Sequence, residues 1–127
     1  MRNPKLKILE DRFTIHKLST GSEVPAQVYQ SPFFSIVNTD EEVSVVCSSL
    51  IPLQAEKSDD GWSCIKMPGP LDLSMTGILA GISAVLAKSE ISIFAVSTYD
   101  TDYIFVKTSE LSGAKRALIA SGYTFEE

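Results

Sequence analysis

The sequence predicts an α+β fold in which two helices cover one face of an antiparallel sheet. Apolar residues follow a helical period after Ser74, where Ile78, Ile82 and Val85 form one stripe. Apolar runs typical of strands lie on both sides of this segment, and the order over residues 61–127 is strand, helix, strand, strand, helix, strand. That order is the βαββαβ pattern of a ferredoxin-like domain.

Composition limits the classes of protein that this chain can represent. The 127 residues suffice for one domain with a core or for two small ones. A net charge of -5 and scattered Lys and Arg residues argue against a nucleic-acid partner. No apolar run approaches the roughly 20 residues of a membrane span, and the start MRNPKLKILEDRF lacks the apolar core of a secretory signal. We therefore expect a soluble, cytoplasmic protein with no membrane partner.

The first half reads as strands with little helix. Leu6–Leu9 and Phe13–Leu18 alternate in part, which predicts either a hairpin or one long bent strand. Residues 19–32 are rich in small polar residues, Gly and Pro, so we expect a loop with one helical turn at Ala26–Tyr29. The pattern predicts no long helix before residue 56.

A second hairpin and a linker complete this half. Phe33–Val37 and Val43–Cys47 are apolar strands on either side of a polar turn. The composition between Pro52 and Gly61 shifts to Gln, Glu, Lys, Ser and Asp, which is typical of a linker. The sequence therefore predicts a boundary here, with a strand-rich half at 1–56 and a domain at 61–127.

The second half is more regular. Asp72 or Ser74 would cap the first helix, which runs to Lys88. Two strands, Ile91–Thr98 and residues 103–106, flank a turn at 99–102. Thr108 or Ser109 would cap a second helix that ends near Gly122, and residues 123–125 form the last strand.

Nothing in the sequence indicates catalysis. His16 is the one histidine and lies in a strand of the first half, which is a weak basis for a nucleophile pair. Cys47 and Cys64 lack CxxC spacing, so we expect two buried reduced thiols. No ligand cluster has zinc spacing, and no glycine-rich phosphate loop is present. We predict a protein that is not an enzyme and needs no cofactor or metal.

Aromatic residues raise one further alternative. Phe94 and Phe105 could lie on a sheet face as the stacking residues of an RNA-binding module do. Such a module also needs basic surroundings, and the acidic balance of the chain argues against it.

Three aspartates allow two interpretations. Asp72 can be a helix cap while Asp100 and Asp102 are ordinary turn residues. Alternatively, a helix start offers backbone N–H groups to an anion while a nearby carboxylate accepts a cation. A free amino acid carries both charges, so both interpretations stay open.

Two segments resemble a known family. GPLDLSMTGIL and ISIFAVSTYDTDYI resemble ACT domains, in particular the small bacterial tandem ACT proteins related to the CASTOR arginine sensors of animals. The resemblance covers residues 61–127 and extends through KILEDRF and FFSIVNTDEEVSVVC to the first half, which is expected to be a degenerate ACT-like copy. It implies a non-enzymatic regulatory homodimer that binds an amino acid at an interface between paired domains. The positions expected to face the ligand are Asp72, Met75, Thr76, Gly77, Ser92, Ile93, Thr98, Tyr99 and Asp102.

The resemblance also has limits. Met75 is apolar where arginine-sensing relatives can have an acidic residue, which argues against arginine as the ligand. The alternative function is a structural or adaptor protein that keeps the ACT interface without a working ligand site.

Overall fold

A computed structural model describes residues 5–68 and 77–126. Contacts group them into two units. The N-terminal unit is Asp11–Trp62, and the C-terminal unit combines residues 5–10 with the described residues from Ser63 onwards. The first residues of the chain therefore belong with its second half. That 1–56 and 61–127 fold as separate segments stays a prediction.

Strands make up most of the regular structure. Within the described residues the chain forms, in order, β1 (Lys5–Ile8), β2 (Phe13–Leu18), a 3-10 helix (Ala26–Gln30), β3 (Ser35–Asn38), β4 (Val43–Ser48), β5 (Lys57–Met67), α1 (Ile78–Lys88), β6 (Ile93–Ser97), β7 (Asp102–Lys107), a 3-10 helix (Thr108–Glu110), α2 (Leu111–Ala120) and β8 (Thr124–Phe125).

The N-terminal unit is a sheet covered by loops. β4 pairs antiparallel with both β2 and β3, and β2 also pairs with the first half of β5. The hairpin β3–β4 and the helical turn are confirmed. The predicted hairpin or bent strand over residues 6–18 is wrong, because β1 and β2 each pair with β5. The core contains Leu18, Val28, Val43, Val45 and Cys47.

The predicted linker is also wrong in its second half. Residues 57–61 form the start of β5, where Lys57 lies opposite Lys17 and Asp59 opposite Ile15. The polar composition of this stretch suggested a linker. The side chains at 57–60 are exposed, however, and an exposed strand does not require apolar residues. The register shifts farther along, and Gly61 has φ +80, as expected of a glycine at a β-bulge.

The C-terminal unit has the predicted βαββαβ order, which confirms the α+β, ferredoxin-like fold class. β6 and β7 form an antiparallel hairpin, and β7 also pairs with β5. An additional strand was not predicted: β1 pairs antiparallel with β5 and parallel with β8. Leu6 of β1 is fully buried between the exposed Lys5 and Lys7, so this short strand adds an apolar side chain to the core.

Both helices pack on the sheet through the predicted stripes. Ile82 is buried in the core, and Ile78 and Val85 pack against it. In α2, Ala114 and Leu118 are buried.

The structure tests the predicted caps of α2 but not those of α1. Neither Thr108 nor Ser109 caps α2 through its side chain, and the Thr108 hydroxyl lies 2.8 Å from that of Ser63. Asp72 and Ser74, the predicted caps of α1, lie outside the described residues.

Candidate functional site

The start of α1 is the first component of the candidate site. Gly77 precedes the helix with φ +89, a conformation that glycine adopts at little cost. Its carbonyl oxygen accepts the hydrogen bond of the Gly81 N–H at 2.8 Å, the first α-helical bond among the described residues. The N–H groups of Ile78, Leu79 and Ala80 belong to the first described turn of α1 and lie at the positive end of its helix dipole.

The sequence did not identify these three N–H groups as the donors at the helix start. The helix was predicted from about Ser74, so the donors were assigned to positions 75–77. Met75 and Thr76, like Asp72, lie outside the described residues. Gly77 itself was the available signal, since a glycine at positive φ favours a chain reversal over a helix interior.

The turn between β6 and β7 is held by its own threonines. The Thr98 N–H donates to the Thr101 carbonyl at 2.8 Å, and the Thr101 N–H donates to the Thr98 hydroxyl at 3.1 Å. The two hydroxyl oxygens are 2.6 Å apart. Tyr99 is 80% exposed at the tip. Thr98 therefore stabilises the turn, a role that it has without any ligand.

Asp102 lies on the helix-covered face of the sheet. It is the first residue of β7, is half-buried, and lies opposite Ser97. Ile104 and Val106, two and four positions later, belong to the core beneath the helices. Because alternate residues of a strand share a face, the Asp102 side chain leaves the sheet on the side where α1 packs.

Strand directions place Asp102 and the start of α1 at one edge. Ser63 contacts Thr108 while Lys66 lies over the Tyr103 ring, so β5 and β7 run antiparallel. β5 and β6 then run in the same direction, since β6 is also antiparallel to β7. The connection of residues 89–92 puts the end of α1 near the start of β6, so the helix begins at the edge where β6 ends. The first N–H groups of α1 and the Asp102 carboxylate thus lie toward the same edge of the sheet.

Ser92 and Ile93 lie at the other end of β6. Four residue steps separate Ile93 from Ser97, which corresponds to roughly 13 Å in a strand. Ser92 is exposed, and Ile93 packs against the core. One copy of the unit therefore does not bring these two residues together with Asp102.

The remaining reactive side chains are buried. Cys47 and Cys64 are free thiols, as predicted, and burial raises the pKa of Cys64 to about 12. Burial lowers the pKa of His16. No group of three or more metal-ligating side chains was found in residues 5–68 and 77–126. None of the described helices is long and apolar enough to cross a membrane.

Two models of known protein families match parts of the chain. The family model described as "ACT domain" matches residues 57–120. The chain belongs to the ACT domain family. A second family model, described as an N-terminal domain, matches residues 11–53, which lie within the N-terminal unit of this ACT protein.

Two solved structures of bacterial proteins share the fold of the chain. Protein Atu0741 from Agrobacterium tumefaciens is 35% identical, with a TM-score of 0.91, and the match covers 99% of this chain and 94% of that one. VC0802 from Vibrio cholerae, described as a protein of unknown function and possible transport protein, is 16% identical with a TM-score of 0.71 over 92% and 88% of the two chains.

An aspartate kinase component shares the fold at lower identity. The ligand-free regulatory subunit of aspartate kinase from Thermus thermophilus is 12% identical, with a TM-score of 0.62 over 88% of this chain and 93% of that one. No curated protein sequence matches the chain.

Proposed function

We propose that this ACT protein is a regulatory, non-enzymatic module that binds a free amino acid where α1 begins. Its ACT family membership and its fold likeness to an aspartate kinase regulatory subunit support a regulatory role. We further place it in the cytoplasm, among the small tandem ACT sensors that its sequence resembles.

The geometry that carries the proposal is the shared edge of α1 and β7. The ligand carboxylate binds the first N–H groups of α1, where hydrogen bonding and the helix dipole both favour an anion. The ligand ammonium binds Asp102, whose half-buried carboxylate leaves the sheet on the same side and at the same edge. The two charges of an amino acid thus meet opposite partners.

Ser92 and Ile93 join this site only across a homodimer. β6 is bonded to β7, and no other strand of the described residues pairs with it, which leaves an edge for a second copy. Antiparallel pairing of two β6 strands about a two-fold axis puts the start of one strand beside the end of the other. The partner's Ser92 would then lie beside Ser97, one strand away from Asp102, so each site draws on both chains.

The first test is a thermal-shift screen of the twenty amino acids, since a ligand that binds the native state raises the unfolding midpoint. Calorimetry with the best ligand then compares Asp102→Ala with Asp100→Ala, an exposed carboxylate of the same turn. We expect Asp102→Ala to weaken binding by roughly 2 to 5 kcal/mol, towards the lower figure because the group is half-exposed, and Asp100→Ala to have little effect. Equal affinities in both variants would contradict the role of Asp102.

Mixing two variants tests the shared site. Ser92→Glu adds a larger, negatively charged side chain at the edge of the shared site, where it repels the ligand's own carboxylate, so this variant and Asp102→Ala should each bind poorly alone. A mixed dimer keeps one site in which Asp102 and the partner's Ser92 are both intact, so mixing should restore binding. Absence of recovery despite confirmed exchange of subunits would place the site within one chain. A monomer in light scattering, with no response to any amino acid, would instead favour the adaptor alternative.

A further inference from the structure

The N-terminal unit has an open pocket of its own on the outer face of its sheet. Its volume is about 390 Å³. By strand alternation the side chains of Ile15, Lys17 and Ser44 leave the sheet on the side opposite Leu18 and Val45, which are in the core. The pocket is lined by these three residues together with Glu42, Lys57 and Asp59, and by His16 and Ser58 of the same two strands. We call it the lysine pocket.

Two lysines at opposite positions of neighbouring strands line this pocket. Lys17 and Lys57 are directly opposite on neighbouring antiparallel strands, an arrangement that repels and destabilises. Lys17 has an ion pair with Glu56 at 4.0 Å, but both side chains are more than 40% exposed, so this pair offsets little of the repulsion. An anion between the lysines would relieve it, and the Ser44 hydroxyl beside Lys17 adds a neutral donor.

The acidic side of the pocket restricts which anion fits. Glu42 is half-buried and lies two residues before Ser44, on the same face. Asp59 already has another interaction within the protein, which leaves Glu42 as the carboxylate for a ligand cation. A dianion would be repelled here, whereas a ligand with one carboxylate and one ammonium matches both ends. Ile15 provides an apolar contact between them.

We propose that the lysine pocket is a second ligand site, which binds a small zwitterion of the amino-acid class. The carboxylate lies between Lys17 and Lys57 within reach of the Ser44 hydroxyl, and the ammonium faces Glu42. This site lies in the N-terminal unit and uses none of the residues assigned to the site at α1.

Amide chemical shifts of the isotope-labelled full chain test the proposal directly. The probes are the twenty protein amino acids, together with 4-methylpentanoate and 3-methylbutylamine, which keep the side chain of L-leucine and lack its ammonium or its carboxylate. We expect at least one amino acid to shift the amides of Lys17, Ser44 and Lys57 in a saturable way, and both single-charge analogues to shift them less than L-leucine. Shifts confined to Ser92, Ile93 and Asp102 would overturn this proposal while supporting the site at α1.

Matched variants separate binding from folding. Lys57→Gln and Glu42→Gln should each weaken binding in this pocket about tenfold or more, since each removes one charged partner. Lys88→Gln, at the exposed end of α1, should leave that affinity unchanged. Lys57→Gln should also raise the unfolding midpoint of the ligand-free protein, because it removes the like-charge pair. Unchanged affinity in both pocket variants, with their folds intact, would overturn the proposal.

Discussion

The two units differ in what covers their sheets and in which polar residues they bury. The core of the C-terminal unit is apolar side chains between a sheet and two helices, including Ile82, Leu86 and Leu118. In the N-terminal unit, Val28 of a 3-10 helix and several loop residues cover the sheet instead. The buried polar residues of the N-terminal unit are Thr14, His16, Ser31 and Ser48, whereas Ser63 is the one identified among the described residues of the C-terminal unit.

The difference shows what a loop-covered sheet requires. A loop carries backbone polar groups that no regular ladder satisfies, so side chains must bond them. Ser31 does this twice: its hydroxyl donates to the Phe33 carbonyl and accepts from the Ser48 N–H at 2.9 Å. The Thr14 hydroxyl lies 2.8 Å from the Ser49 hydroxyl, a bond between side chains that also ties a loop residue to the sheet. Stability in this unit therefore depends on polar geometry as well as on buried area.

Truncating one core leucine in each unit should give the largest difference in the free energy of unfolding. Leu86→Ala and Leu18→Ala remove the same atoms from the two cores, and the cost of such a change is about 2 to 5 kcal/mol. We expect Leu86→Ala, at a fully buried position of α1, to approach the upper figure. Leu18 ends β2 and is 6% exposed, so Leu18→Ala should lie near the lower one. Urea unfolding with unchanged m-values would measure both, and a larger loss for Leu18→Ala would break the comparison.

A close contact in the C-terminal unit gives a smaller effect. A Cβ added at Gly81 would lie 3.0 Å from the Tyr123 hydroxyl oxygen. We expect Gly81→Ala to lower the free energy of unfolding by about 1 kcal/mol, because this crowding outweighs the helical preference of Ala. In a Tyr123→Phe background the same substitution should instead raise it by about 1 kcal/mol. A double-mutant cycle that showed the two changes to be additive would exclude this contact as the cause.

Protonation of His16 in the N-terminal unit should give the smallest change in stability. The His16 Nδ1 atom is 2.7 Å from the Ser58 hydroxyl, and Nε2 is buried with no partner among the described residues. Burial lowers the pKa of His16 below its ordinary value of 6.5 in the folded state. As the pH falls below 6.5 the unfolded chain binds the proton first, so stability falls until the folded-state pKa is passed.

The measurement is the urea midpoint at pH 7.5 and at pH 5.5. We expect the wild-type protein to lose more stability on acidification than His16→Asn, which cannot take up the proton. Equal losses would assign the pH dependence to the carboxylates alone.

Local patterns determined most of the C-terminal unit. The apolar stripe of α1, the β6–β7 hairpin and the stop at Gly122, with φ +97, were all predictable, because each depends on residues close together in the chain. The proposed roles of Asp102 and of the helix start also derive from local patterns and stay predictions. Residue types in a turn and at a cap carry that information.

Tertiary structure decided what depends on distant partners. Residues 57–61 are polar enough for a linker and become strand only because β2 supplies hydrogen bonds on one side. β1 is a four-residue segment with little preference of its own, and it is fixed by β5 and β8, more than 50 residues away in sequence. The lysine pocket likewise exists because strand register puts Lys17 opposite Lys57. Register and pairing between remote segments have no local signal, since any two strands of suitable alternation satisfy the same sequence pattern.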